Sequence, residues 1–203
     1  MQWSEFNPYV APYVIGCPDP LIEQHARLAA IEFCRRTSCW QRTLDPVTTD
    51  GVSNLVGLEE DANTQIIKIK AVSVDSRDHP VTDSSNGLKL VRSGSTQNYC
   101  FTQDNKTLHV SPLQVSGIAV QVDAVLAPSR TAVTLDDVIG ADYLHDIALG
   151  AIASLMRTPK QSWTDYSAAS LYSTQFTSRI ATVAAKVARG FMAQKMRSHT
   201  SYL

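Results

Sequence analysis

Apolar residues recur along this chain with two different periods. Ile22, Ala26, Ala29, Ala30, Phe33 and Cys34 fall three or four apart, which puts them on one face of a helix. Glu23, Gln24, Arg27, Arg35 and Arg36 occupy the other face. Asp19 is placed to cap this first helix, Pro20 suits its first position and Glu23 its first turn. Trp40 closes it against the core. The helical period returns in Tyr143, Leu144, Ile147, Ala148, Ala151, Ile152, Leu155 and Met156, a second helix that Pro159 ends. Thr134 and Asp137 are spaced as its capping box, and Trp163 lies in the loop that follows. A third helix starts near Asp165 and carries Ala169, Tyr172, Phe176, Ile180, Val183, Val187 and Phe191 as one stripe, with Gly190 weakening its end.

Between residues 44 and 127 the period shortens to two. Residues 65–72 are β-branched and partly alternating, and residues 115–126 alternate most regularly. Asn86 and Gly87 form a turn signal ahead of a strand at residues 88–91. Residues 99–101 and 107–110 flank a polar loop and predict a hairpin. Five to seven short strands of this kind fit a small antiparallel sandwich or barrel.

The fold predicted is α+β, a helical bundle interrupted by a β insertion. Residues 1–43 supply an N-terminal arm and the first helix, 44–127 the β lobe, 128–190 the helix pair, and 191–203 an extended C-terminal tail. Prolines at 8 and 12 predict that the arm is extended. Its aromatics, Trp3, Phe6, Tyr9 and Tyr13, need a surface to lie on, either the chain's own domain or a neighbouring subunit.

Composition and charge narrow the class. Hydrophobic residues make up 44% of the 203 residues and charged residues 18%, an ordinary globular balance. No apolar run approaches a membrane span and no signal peptide is visible, so an intracellular product is expected. Charge is unevenly divided. All 19 acids precede residue 166, whereas the last 38 residues hold five basic residues and no acid. Such a split suits a complementary partner surface, and it also suits basic residues biased toward a helix C-terminus.

Motifs for chemistry are absent. No glycine-rich phosphate loop, GxSxG elbow or HExxH pair occurs. Asp136, Asp137, Asp142, His145 and Asp146 form the nearest constellation. Helix capping explains it most simply, with an intersubunit ion pair or a metal as alternatives. Cys17, Cys34, Cys39 and Cys100 fit reduced thiols; a site made of Cys34, Cys39 and His25 is the weaker reading. No cofactor is expected. The basic tail could touch phosphates, but no sequence-specific nucleic-acid motif is present.

One further pattern joins these parts. An aromatic segment leads to Gly16, Cys17, Pro18, Asp19 and Pro20, then to Ala29, Ala30, Ile31, Glu32, Phe33, Cys34, Arg35, Arg36, Thr37 and Trp40. After the insertion come Tyr143, Leu144, His145, Asp146, Ile147, Ala148, Leu149, Gly150 and Ala151, then Leu155, Met156, Pro159, Trp163, Ala168, Ala169, Tyr172 and Phe176. The pattern resembles the head-to-tail adaptors of tailed bacteriophages, particularly the tubular tail adaptors of short-tailed phages. The resemblance covers both helical parts and skips the middle.

It implies a virion protein, made in the host cytoplasm, that forms a usually dodecameric ring at the head–tail junction. Such a ring has the portal protein above and a nozzle or tube protein below. Double-stranded DNA passes through it without sequence-specific binding, and no membrane is involved. Portal contacts would fall to the tail residues Arg189, Phe191, Met192, Lys195, Met196, Arg197, Tyr202 and Leu203. Subunit contacts would fall to Trp3, Phe6, Tyr9, Tyr13, Arg35, Arg36, Asp142 and His145. Another neck or tail-completion protein is the alternative, and a tail-borne wall hydrolase a more distant one.

Overall fold

The computed structural model describes residues 1–58 and 61–190. Among them the chain is a mixed α+β protein with antiparallel sheets. It begins with a 3-10 turn (Trp3–Phe6), a single helical turn α1 (Asn7–Val10) and a second 3-10 turn (Ala11–Tyr13). Three long helices follow at intervals: α2 (Asp19–Thr37), α4 (Asp137–Met156) and α5 (Tyr166–Ala188). Between α2 and α4 lie the strands β1 (Gln41–Thr43), β2 (Val47–Thr48), β3 (Leu55–Gly57), β4 (Thr64–Val74), β5 (Arg77–His79), β6 (Tyr99–Thr102), β7 (Thr107–Ser111) and β8 (Ala119–Pro128). A short helix, α3 (Ser84–Arg92), precedes β6.

The N-terminal arm is folded, not extended. Pro8 and Pro12 sit in the opening positions of α1 and of the second 3-10 turn, where a missing N–H costs no hydrogen bond. Trp3, Phe6, Val10 and Val14 are buried at 0–2% exposure, so apolar burial rolls the arm onto its own helices.

The long helices form where the apolar period placed them. All six residues of the first stripe are buried on α2, whose first residue is Asp19, one position later than a cap. Its end is set by Ser38 in the left-handed region at φ 53°, where the Ser38 N–H donates to the Cys34 carbonyl. The cap of α4 is Asp136, accepting from the Val138 N–H; Thr134 instead bridges to Gln2. Asp165 caps α5 by accepting from Ser167 and Ala168, and Gly190 follows the helix at positive φ. Phe33 of α2 lies 5.1 Å from Tyr143 of α4 and 6.2 Å from Phe176 of α5, ring centre to ring centre, which ties the three helices together. α4 is 20 residues long, its most apolar 18-residue window has a mean hydropathy of 1.3, and by length and composition it could cross a membrane, contrary to the sequence expectation. Here it is the core helix, enclosed by α2 and α5.

The strands form a five-stranded sheet, in which β1, β8, β4 and β5 lie in that order and β2 also pairs with β8, and a three-stranded sheet in the order β3, β7, β6. In β4 the residues Ile66, Ile69, Val72 and Val74 are buried. The departures from period two coincide with register shifts between Ile66 and Lys68 and between Ile69 and Ala71. Along β8, Val120, Val122 and Ala124 alternate inward, after which residues 125–128 are buried on both faces where the strand meets α2.

The predicted hairpin of β6 and β7 is present, with Asn105 at φ 60° in its loop. The predicted strand at residues 88–91 is instead part of α3. Asp83 captures the Asn86 N–H and caps a helix there, and Gly87 lies within that helix at the Phe101 ring.

Candidate interaction surface

Of the aromatic arm residues, Trp3 and Phe6 belong to the chain's own core. The Trp3 indole N–H donates to the Ala132 carbonyl at 2.9 Å, Arg27 lies over its ring at 5.5 Å, and Phe6 stacks beside it at 5.9 Å. Neither ring is available to a second subunit, which corrects the sequence assignment. Tyr9 and Tyr13 differ, at 40% and 50% exposure. Tyr9 stands edge-on to His145 at 4.9 Å, and Tyr13 edge-on to Tyr172 at 5.7 Å.

Asp142 and His145 are both exposed on α4, one helical turn apart. The structure therefore brings Tyr9 and His145 together on one surface, with Asp142 about one turn away on α4. A groove of about 460 Å³ runs along it between the arm and α4, lined by Glu5, Tyr9, Asp137, Leu144 and His145 among others. Glu5 carried no signal in the sequence, and Leu144, expected on the buried stripe of its helix, is half-buried and lines the groove instead; nothing linear connects the arm to α4. Glu5 holds the Gln2 N–H at 2.6 Å, and the N-terminal ammonium group pairs with Asp137 and donates to the Leu135 carbonyl. Asp146, on the side of α4 toward α5, meets Arg179 at 3.6 Å.

Arg35 and Arg36 are exposed in the last turn of α2. Arg36 pairs with Glu32 at 2.8 Å along its own helix, a pair worth a few tenths of a kcal/mol, about 0.3–0.5. Arg189 is exposed at the C-cap of α5. Phe191, Met192, Lys195, Met196, Arg197, Tyr202 and Leu203 lie outside the described residues.

The weaker metal reading finds its residues apart. His25 Nδ1 lies 2.8 Å from the Ser154 hydroxyl, joining α2 to α4, while Cys34 and Cys39 hydrogen-bond to each other. That thiol contact, together with burial, pushes Cys34 well up; the same contact draws Cys39 down. Among the described residues, no three His, Cys, Asp or Glu side chains converge as a metal site.

A second groove, of about 280 Å³, opens between α3 and the three-stranded sheet. Leu55, Leu88, Val91 and Phe101 line it with His109. The register places Leu55, His109 and Phe101 in one row across β3, β7 and β6, and Phe101 stacks on the His109 ring at 4.8 Å. His109 is held below its ordinary value by burial.

No protein-family model matches the chain, and no curated protein matches it either.

Proposed function

We propose that this chain is a structural head-to-tail adaptor of a tailed phage and not an enzyme. Copies stand side by side as a ring, dodecameric if it follows the resemblance, between the portal and the tail nozzle. The ring extends the DNA channel at the head–tail junction. In this reading the three long helices are the bundle that builds the ring, and the strands are an inserted sandwich-like lobe directed at the tail.

One observation carries the reading: the outer surface of α5. Across its 23 residues this helix bears Arg179 and Lys186 as its charged side chains and no acid. Its exposed positions are filled by short groups such as Ser167, Ser170, Thr174, Ser178 and Ala181, with Leu171 at 58% exposure among them. Short uncharged side chains lose little rotamer freedom when covered and let a neighbouring helix approach closely. A self-sufficient monomer more often displays long charged side chains on such a face. The chain then continues to residues 191–203, of which Phe191, Met192, Met196, Tyr202 and Leu203 are the proposed anchors in the portal. Arg189, Lys195 and Arg197 are the proposed partners of portal acids.

The test compares the full chain with a chain ended at residue 190, each mixed with the portal of its phage and imaged in negative stain. The full chain forms a ring beneath the portal, and the shortened chain keeps the helical circular dichroism of the full one yet fails to dock. Normal docking by the shortened chain refutes the portal role of the tail. A full chain that stays monomeric with the portal present refutes the adaptor reading itself.

A further inference from the structure

The end of α2 brings two thiols together. Ser38, in the left-handed region at φ 53°, turns the chain back over the last helical turn, and its N–H donates to the Cys34 carbonyl. The residue after such a turn meets a side chain one turn back on the helix, a contact usually made by two apolar groups. Here cysteine fills both places, and the thiols of Cys34 and Cys39 hydrogen-bond to each other. Cys34 is fully buried and Cys39 half-buried, so solvent reaches the pair through Cys39. A cysteine acting as a small apolar group accounts for Cys34. It does not account for a second thiol laid against it on the side that solvent can enter.

We propose that Cys34 and Cys39 are a redox pair, which a small-molecule disulfide such as glutathione disulfide converts to an intramolecular disulfide that pins the end of α2 to the segment entering β1. Thiols already in hydrogen-bond contact meet the approach that such a bond requires.

Exposure sets the order of events. Cys39 loses its proton, and its sulfur attacks one sulfur of the oxidant. The S–S bond of the oxidant breaks, and the departing glutathione sulfur takes up a proton. Cys34 then gives its own proton to water and attacks Cys39 Sγ, displacing the second glutathione. Two electrons have passed from the protein to the oxidant, and two protons end on two glutathione thiols. The hydrogen bond from Cys34 draws Cys39 down, which favours the thiolate that attacks first. Cys34 is held well up by its contact with Cys39 and then by burial; turning Cys39 into a mixed disulfide removes the Cys39 charge and with it part of that hold.

The bond closes where the strands leave the helices. Trp40 is buried, its carbonyl accepts from the Leu126 N–H at 2.8 Å, and β1 begins at Gln41. In the dithiol the turn is held by the Ser38 N–H and by the Cys39 N–H, which donates to the Thr37 hydroxyl at 3.3 Å. In the disulfide it becomes a covalent clamp across the helix end. The pairing is independent of the ring reading and stands or falls apart from it.

The test equilibrates the full folded chain with mixtures of reduced and oxidised glutathione, quenches in acid, alkylates, and maps the peptides by mass spectrometry. A Cys34–Cys39 disulfide is expected to accumulate as the oxidised share rises and to revert with dithiothreitol, while Cys17 and Cys100 stay alkylated. Cys34→Ala is expected to trap glutathione on Cys39, and Cys39→Ser to leave Cys34 unmodified. The oxidised wild type is expected to melt about 5 °C above the reduced chain, a gap absent from both variants. A wild type that keeps both thiols free in oxidised glutathione, that stops at the mixed disulfide, or that pairs either thiol with Cys17 or Cys100 overturns the redox pair. A bond that forms without raising the thermal midpoint overturns the pinning.

Discussion

Phe176 of α5 lies against Gly150 of α4 so closely that a Cβ at position 150 would stand 2.9 Å from its ring and 3.0 Å from the Cβ of Ala29 on α2. The three long helices therefore meet at a point where one has no side chain. Gly150→Val forces the ring of Phe176 or the axis of α2 aside, and overpacking of this kind costs about 1–3 kcal/mol. Chemical denaturation is expected to show a lower midpoint with an unchanged slope.

At Gly87 steric fit and helix propensity pull in opposite directions. Exchanging an exposed glycine for alanine inside a helix normally gains about 1 kcal/mol. In α3, however, the new methyl group would run into the Phe101 ring. Gly87→Ala is therefore expected to lower the thermal midpoint, and a rise would show that α3 does not rest on β6.

Much of the helical part was legible because burial and periodicity agree there: each stripe residue on α2 is buried, and Asp165 caps the helix it was expected to open. Legibility failed where a local signal had two physical outcomes. Asn86 and Gly87 can make a hairpin turn, but the Asp83 carboxylate a few residues earlier captures the Asn86 N–H and starts a helix instead. Prolines in the arm excluded a long helix but not single turns that begin with proline. The candidate surface was half visible. Asp142 and His145 stand out by spacing on one helix, whereas the approach of Tyr9 and Glu5 depends on how the arm folds back.

The thiols should react in a set order. The hydrogen bond from Cys34 draws Cys39 below its ordinary value of 9.0, while burial pushes Cys100 up to about 12. Alkylation follows the thiolate, so iodoacetamide at about pH 8 is expected to label Cys39 first and to leave Cys34 and Cys100 until the chain unfolds. In Cys34→Ala the pH midpoint for labelling Cys39 moves upward, because the hydrogen bond that favours its thiolate is gone. Peptide mapping by mass spectrometry reads both results.

Acid sensitivity should begin in the turns and helix caps. Asp104 and Asp165 are held below the usual 3.8, chiefly by backbone N–H groups: those of Thr107 and Lys106 for Asp104, and that of Ala168, followed by the Ser167 hydroxyl, for Asp165. Their folded values are depressed, so the stability they confer is present above the unfolded value and fades as pH falls through the folded one. The thermal midpoint of the wild type should thus decline below about pH 4, a slope that reports carboxylate protonation. The double variant Asp104→Ala, Asp165→Ala should start lower at neutral pH and decline less steeply.

The insertion leaves and rejoins the helices through two strands that lie side by side: Gln41 of β1 is paired with Val125 of β8, which sets their Cα atoms roughly 5 Å apart. A gap that small can be spanned by a tight turn. The helices therefore do not depend on the length of what lies between these two strands, and residues 44–118 are the part of this molecule that could be lengthened, trimmed or exchanged without redrawing the packing of the three long helices.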